Sequence, residues 1–362
     1  MKQFLSIILM LLTFATQATV RTVSNLPSTL AQFNTIQAAV NASSTGDTVY
    51  VHGSPNQYAA FTITNMQLTI IGPGFSPDKN LPFDAVVQGC TISGATSANT
   101  ELHGIAFVGA INVNSAKPDN LRFIRNHFVN GDINMNQGGV TYSGYLFESN
   151  WFNNATANAT TSSTYQNILF QNNYFFENGN VRDGNFNGFF NCVNVLFNHN
   201  LWFGPGSGTR NVATSSNNRF LSFTNNIFVR RNAASSISSS TYTNNLTFYP
   251  AGSTNPGAPW TLNSNVDAGG NVDNQDPQMV DQAGVNAGTN NAIQNFTIAA
   301  GPANNSGSDG KDMGLLFDAT GSLNWTNSRN SRLPRIFSMN VVNPTVPAGG
   351  NITVNVDARI SN

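Results

Sequence analysis

An asparagine set between aromatic residues returns along the middle of this chain, and the spacing of its returns restricts the fold more than any other feature. The pattern is an aromatic, two variable residues, Asn, one variable residue and usually a second aromatic. It reads Phe123-Ile-Arg-Asn126-His-Phe128, Phe147-Glu-Ser-Asn150-Trp-Phe152 and Phe170-Gln-Asn-Asn173-Tyr-Phe175. It continues as Phe197-Asn-His-Asn200-Leu-Trp202 and Phe223-Thr-Asn-Asn226-Ile-Phe228, with a weaker copy in Tyr242-Thr-Asn-Asn245-Leu-Thr247. The steps between asparagines are 24, 23, 27, 26 and 19 residues. A degenerate copy, Leu102-His-Gly-Ile105-Ala-Phe107, precedes these and lacks the Asn. A period of about 24 residues suits one turn of a solenoid. The segments are short, β-branched and aromatic, and broken by Gly and Asn, which argues against helical repeats. The regular Leu positions of leucine-rich repeats are absent. The spacing therefore predicts an all-β, parallel β-helix solenoid with coils over about 47–317.

In such a fold the Asn column has a mechanism. A side-chain amide at the same turn of each coil can bond to backbone and to the next Asn, and Asn tolerates left-handed turns. The alternative, an Asn-rich disordered tract, conflicts with the regular flanking Phe. Of 38 aromatics (26 Phe, 8 Tyr, 4 Trp) most are Phe, as stacked core positions require.

These coils resemble those of right-handed parallel β-helix proteins of the pectin-lyase-like class, exported bacterial members among them. Thr35-Ile-Gln-Ala-Ala-Val40 followed by Gly46-Asp-Thr-Val-Tyr-Val51 is similar to their cap helix and first strand. Ile36, Ala39 and Val40 sit at helical spacing, so a helix over about 34–42 is expected to cover one end of the core. Phe61 to Gly72 resembles a further coil, and Asp276 to Asp281 with Gly301 to Gly314 resembles closing coils. The resemblance covers about 33–317 and implies fold rather than activity. Beyond it, residues 333–362 read as two alternating strands, Ile336–Val342 and Ile352–Ile360, either a hairpin over the last coil or an attachment element. The solenoid domain is thus bounded at 19–332.

Residues 1–18 read as a signal peptide: Lys2, an apolar run from Phe4 to Ala15, and small residues to Ala18. The run is too short to span a bilayer, so no membrane insertion is expected, and the mature chain is placed outside the cell or at its surface. Cys90 and Cys192 fall about five coils apart, on the order of 24 Å, which forbids a disulfide and predicts two buried thiols.

Charged residues make up 9% of the chain, against roughly 25% in ordinary domains. With 16 basic and 17 acidic residues the net charge is −1, which excludes electrostatic nucleic-acid binding. Function must sit on outward positions of the coils. The residue after each Asn faces outward, giving a column of His127, Trp151, Tyr174, Leu201, Ile227 and Leu246. His127, Trp151 and Tyr174 form a candidate platform for sugar rings, unless the 153–164 loop or the tail covers them. Arg125, Ser149, Asn172 and His199 share the column before Asn, and Glu148 lies one position earlier. Arg125, Glu148 and His199 are the candidate catalytic group: Arg to neutralise an acidic sugar, Glu or His to move a proton. Their bland reading is an Arg125–Glu148 surface pair. Glu177 is a second candidate carboxylate, and Arg122, Asp132, Arg182 and Asp183 come from the same coils.

The resembled enzymes carry motifs this chain lacks, namely the calcium-binding acidic cluster of pectate lyases and the Asn-Thr-Asp, paired-Asp, Gly-His-Gly and Arg-Ile-Lys elements of polygalacturonases. No metal site is expected from the four scattered His. No cofactor is required, and calcium at Asp267, Asp273, Asp276 and Asp281 is the one left open. The expectation is an exported protein that associates with polysaccharide, with lyase or hydrolase activity unassigned. The alternative is a non-catalytic structural or adhesive β-helix at the cell surface. An ice-binding face would need a regular Thr lattice, which these uneven coils lack. Oligomeric state is not legible.

Overall fold

Short strands follow one another along the chain, and most pair in parallel with the equivalent strand one repeat later. The computed structural model describes residues 18–75, 82–114, 116–179, 184–214, 217–317, 324–325, 334–342 and 349–360. The chain is a parallel β-solenoid of about 10 turns with three parallel sheets. The first sheet has 12 strands, running from Val20–Val23 to Val266–Asp267. The second has 8, from Val86–Val87 to Leu246–Phe248, and the third has 6, from Phe61–Thr64 to Phe186–Asn187. Nearly all of the expected leader, residues 1–17, lies outside the described residues.

The repeat asparagine stands at the corner where the first sheet passes to the second. Asn173 shows the pattern. Its Oδ1 accepts the Asn150 N–H at 2.9 Å and Asn150 Nδ2 at 3.0 Å. Its Nδ2 donates to Phe147 O at 2.9 Å and to Asn200 Oδ1 at 3.0 Å. The same bonds link Asn126, Asn150, Asn173, Asn200, Asn226 and Asn245, and the ladder runs one rung further to Asn271. At its other end Asn126 Oδ1 accepts the Ile105 N–H, so the degenerate copy is a coil without its own rung. The left-handed residue of this corner is the one before the ladder asparagine, not the asparagine itself. Gly104, Arg125, Ser149, Asn172, His199, Asn225, Asn244 and Gly270 all have φ between 50° and 71°. A non-glycine residue there costs roughly 1–2 kcal/mol, least for Asn. The ladder bonds on either side offset that strain.

The aromatics that flank each asparagine point inward and stack along the axis. Phe123, Phe147, Phe170, Phe197, Phe223 and Tyr242 have successive centroid separations of 4.8, 4.4, 4.5, 4.9 and 4.9 Å. A second stack runs through Phe128, Phe152, Phe175, Trp202 and Phe228, and all of these rings are fully buried. Such pairs add about 0.5–1.5 kcal/mol each beyond their buried area. Cys90 and Cys192 are buried free thiols.

Near the start, helix α1 (Ile36–Asn41) is N-capped by Thr35, whose Oγ1 accepts the Ala38 N–H at 3.2 Å. It buries Ile36, Ala39 and Val40 against the strands Val20–Val23, Thr48–Val51 and Phe61–Thr64. At the far end the last parallel bridge among the described residues joins Leu246 to Val272. The chain then turns back and lies along the outer face of the second sheet. Helix α2 (Gln282–Ala287) begins at the capping carboxylate of Asp281 and ends at left-handed Gly288. Gly288 is pressed so closely on Gly206 that a Cβ would stand 2.2 Å from the Gly206 nitrogen. Met279, Val285, Phe296, Ile298, Met313, Leu315 and Trp325 close over Tyr174, Leu201, Ile227 and Leu246 as a second core. Finally Pro334–Val341 and Val354–Ile360 pair as an antiparallel hairpin.

Candidate functional site

The first two ladder coils bring the scarce charges together. On the first sheet Leu102, Phe123 and Phe147 face the core, so alternation turns Glu101, Arg122 and Leu146 away from it in one column. His103, Ile124 and Glu148 form the next. Arg122 Nε lies 3.5 Å from Glu101 Oε2. Arg125 follows in its left-handed turn, buried, its N–H donating to Glu148 O at 2.9 Å. Burial pushes the Glu148 carboxyl upward, Arg125 and Arg122 pull it back, and Glu101 raises it further. The net shift is upward. A carboxyl poised this way beside two guanidinium groups is suited to exchanging a proton, although ion-pair networks of purely structural purpose shift groups too. Glu101 and His103 are members that the sequence reading passed over. Their signal was there, because Glu101 and His103 stand at the start of the degenerate copy, one coil before Arg122 and Ile124.

Past the corner the same coils place aromatics on the second sheet. His127 and Trp151 stand in register, with ring planes 3° apart and centroids at 3.8 Å. Phe75 meets their edges at 6.0 and 5.8 Å and touches Trp325 at 5.6 Å. Phe75, His127 and Trp151 each keep part of their surface in solvent. Tyr174, next in the column, has none: Phe296 stacks on it at 5.3 Å and Trp325 lies at 6.2 Å. The expected three-ring platform is therefore open at His127 and Trp151 and closed at Tyr174. Among the described residues the cover comes from residues 279–317 and Trp325 rather than from the 153–164 loop. Asn153 and Asn290 rim the open part, with Asn290 Nδ2 donating to Asn153 Oδ1 at 3.0 Å. Glu148 and Trp151 are three residues apart, so the charged and aromatic groups share one corner within about 10 Å of chain.

His199 is elsewhere. It shares the left-handed column with Arg125 but three coils along, on the order of 14 Å away. It is 1% exposed beneath the returning segment. Its Nε2 lies 3.1 Å from Asp309 Oδ2 and 3.1 Å from Asn225 Nδ2. Burial lowers its pKa, and the Asp309 carboxylate only partly opposes that. Glu177 is fully buried, its Oε1 accepting the Gly179 N–H at 2.8 Å. Asp132 is occupied by Thr156 N and Asn158 Nδ2. Arg182 and Asp183 lie outside the described residues.

Of the four aspartates left open for calcium, three serve turns or a cap and Asp273 holds a side chain of the neighbouring coil. Asp267 accepts from Gly269 N, Asp273 from Thr247 Oγ1, Asp276 from Gln278 N and Asp281 from Gly284 N. Among the described residues no three His, Cys, Asp or Glu side chains gather as metal ligands. Among them, too, no helix is long and apolar enough to cross a membrane. No protein-family model matches the chain, and no curated protein matches it.

Proposed function

We propose that this chain is an exported β-helix protein that associates with polysaccharide, using the corner formed by Arg122, Arg125, Glu148, His127, Trp151 and Phe75. One observation carries the reading. In an outward column whose later members Tyr174, Leu201, Ile227 and Leu246 are sealed beneath the returning segment, the coplanar His127–Trp151 pair stays partly in solvent, two residues along the chain from Arg125. Flat aromatic faces pack on the apolar faces of sugar rings, and guanidinium groups donate hydrogen bonds to their oxygens or carboxylates. We further read the solenoid as right-handed, α1 as the cap of its first coil, and residues 1–18 as the export signal.

If the bound chain is also cut, Glu148 is the residue placed to move the proton. The burial of His199 and Glu177 favours the second reading, a non-catalytic surface or adhesive β-helix. The two readings separate in one experiment. Residues 19–362 are incubated with acidic and neutral polysaccharides, with and without calcium, while unsaturated-uronate absorbance, reducing ends and retention of the protein on the polymer are followed together. Absorbance marks a lyase, and reducing ends alone mark a hydrolase. Binding without either marks the non-catalytic reading. Absence of both binding and turnover across the panel removes the proposal.

A further inference from the structure

A second left-handed column runs beside the first sheet. Asn99, Asn120, Gly144, Asn167, Asn194, Phe220 and Ser239 stand in register, with φ of 63°, 56°, 74°, 52°, 55°, 60° and 48°. Asparagine and glycine fill nearly every position, as the conformation demands. Ser239 and Phe220 are the exceptions, and Phe220 is the one bulky side chain of the seven, which at positive φ is strained. Burial does not compensate, because Phe220 is 51% exposed.

Its neighbour explains what the position could serve. The Arg219 guanidinium lies 3.3 Å from the Phe190 ring centroid and 5.3 Å from that of Phe220. Among the described residues no carboxylate pairs with Arg219, and its Nε is buried with no acceptor. A strained aromatic turn and an unpaired guanidinium nitrogen are two costs at adjacent residues, and the ring contacts of Arg219 supply no hydrogen-bond acceptor for that nitrogen. Aromatic faces fix the plane of a guanidinium and strip water from it, which leaves the terminal N–H fork preorganised for two oxygens of an anion.

We infer that Phe190, Arg219 and Phe220 form an oxyanion site for a carboxylated or sulfated polymer. It lies about 14 Å along the axis from Trp151 and beside a different sheet edge, so it does not rest on the aromatic corner. The full chain is titrated calorimetrically with alginate, dextran sulfate and uncharged dextran. The site predicts binding of at least one charged polymer, and the preferred one identifies carboxylate or sulfate as the natural group. Arg219→Gln weakens that binding by about tenfold or more, and Arg219→Lys, lacking the planar fork, does not restore it. Phe220→Asn restores the column's usual residue, so it raises the melting temperature while lowering affinity. Equal binding by wild type and Arg219→Gln overturns the inference, as does Phe220→Asn with unchanged affinity or a lower melting temperature. Trp151→Ala is run alongside. Loss of binding there with Arg219 variants unaffected sinks this site and leaves the aromatic corner standing, and the reverse result does the opposite.

Discussion

Replacing Asn173 by alanine removes the middle rung of the ladder. Four hydrogen bonds are lost, and the surroundings decide the magnitude. Asn150 Nδ2 keeps Phe123 O, and Asn200 Oδ1 keeps the Asn173 N–H. One backbone group is left without a partner in a fully buried site, the Asn150 N–H, whereas the Phe147 carbonyl keeps the ladder bond from the next coil. Such an orphan costs about 1–3 kcal/mol, so Asn173→Ala is expected to destabilise the solenoid by about that amount. Asn271→Ala is the control, because that rung is only partly buried and ends the ladder, so its loss is expected to cost less. Urea denaturation followed by far-ultraviolet circular dichroism gives the midpoints. Hydrogen exchange at the Asn150 amide localises the effect, which matters because stacked repeats need not unfold as one unit. A midpoint for Asn173→Ala within error of wild type, or equal to that of Asn271→Ala, would refute the reasoning.

Two further outcomes concern titration. Burial holds the folded His199 pKa below its ordinary 6.5, so the unfolded chain protonates first as pH falls. Stability is therefore expected to decline below about pH 6.5 until the folded group titrates. Asp309, held below 3.8 mainly because the Lys311 N–H and His199 outweigh its burial, adds stability that is lost only at lower pH. His199→Asn keeps a residue suited to the left-handed turn, as Asn172, Asn225 and Asn244 are, and should flatten the pH 5–7 slope of melting temperature; an unchanged slope would contradict the assignment. Glu148 has the opposite sign. Its folded pKa lies above the ordinary 4.5, so its charged form costs stability as pH rises through that range. Glu148→Gln, which matches Gln171 one coil on, should raise the denaturation midpoint at pH 7 and leave it unchanged at pH 4. A lowered midpoint at pH 7 would show that the carboxylate is instead a net stabiliser.

Periodicity made the ladder legible. A repeated Asn between inward aromatics specifies both the parallel register and the stacked core, and strand alternation correctly turned His127, Trp151 and Tyr174 away from that core. Facing away from the core is not the same as facing water, and this is where reading by pattern runs out. Met279, Val285, Phe296, Ile298, Met313 and Leu315 follow neither a two-residue nor a helical period, so nothing in their spacing announces that they cover a sheet encoded about 30–140 residues earlier. Asn271 escaped for a related reason: Ala268 and Asp273 stand where most of its fellows have the flanking aromatics. The column shared by Arg125 and His199 was legible as a column. Its meaning was not, because a shared turn position places residues one above another rather than around a common point, and here it reflects the left-handed backbone of the corner.

The most direct measurement of polysaccharide association uses the tryptophans. Trp202, Trp260 and Trp325 are at most 4% exposed, whereas Trp151 keeps part of its ring in solvent. Acrylamide quenching of the free protein should therefore be dominated by Trp151 and fall sharply in Trp151→Phe. The account predicts that a bound polysaccharide reduces wild-type quenching to the level of that variant and leaves the variant itself unchanged. Quenching that stays the same while the polysaccharide is bound would place the ligand elsewhere and contradict the assignment of the Phe75–His127–Trp151 corner.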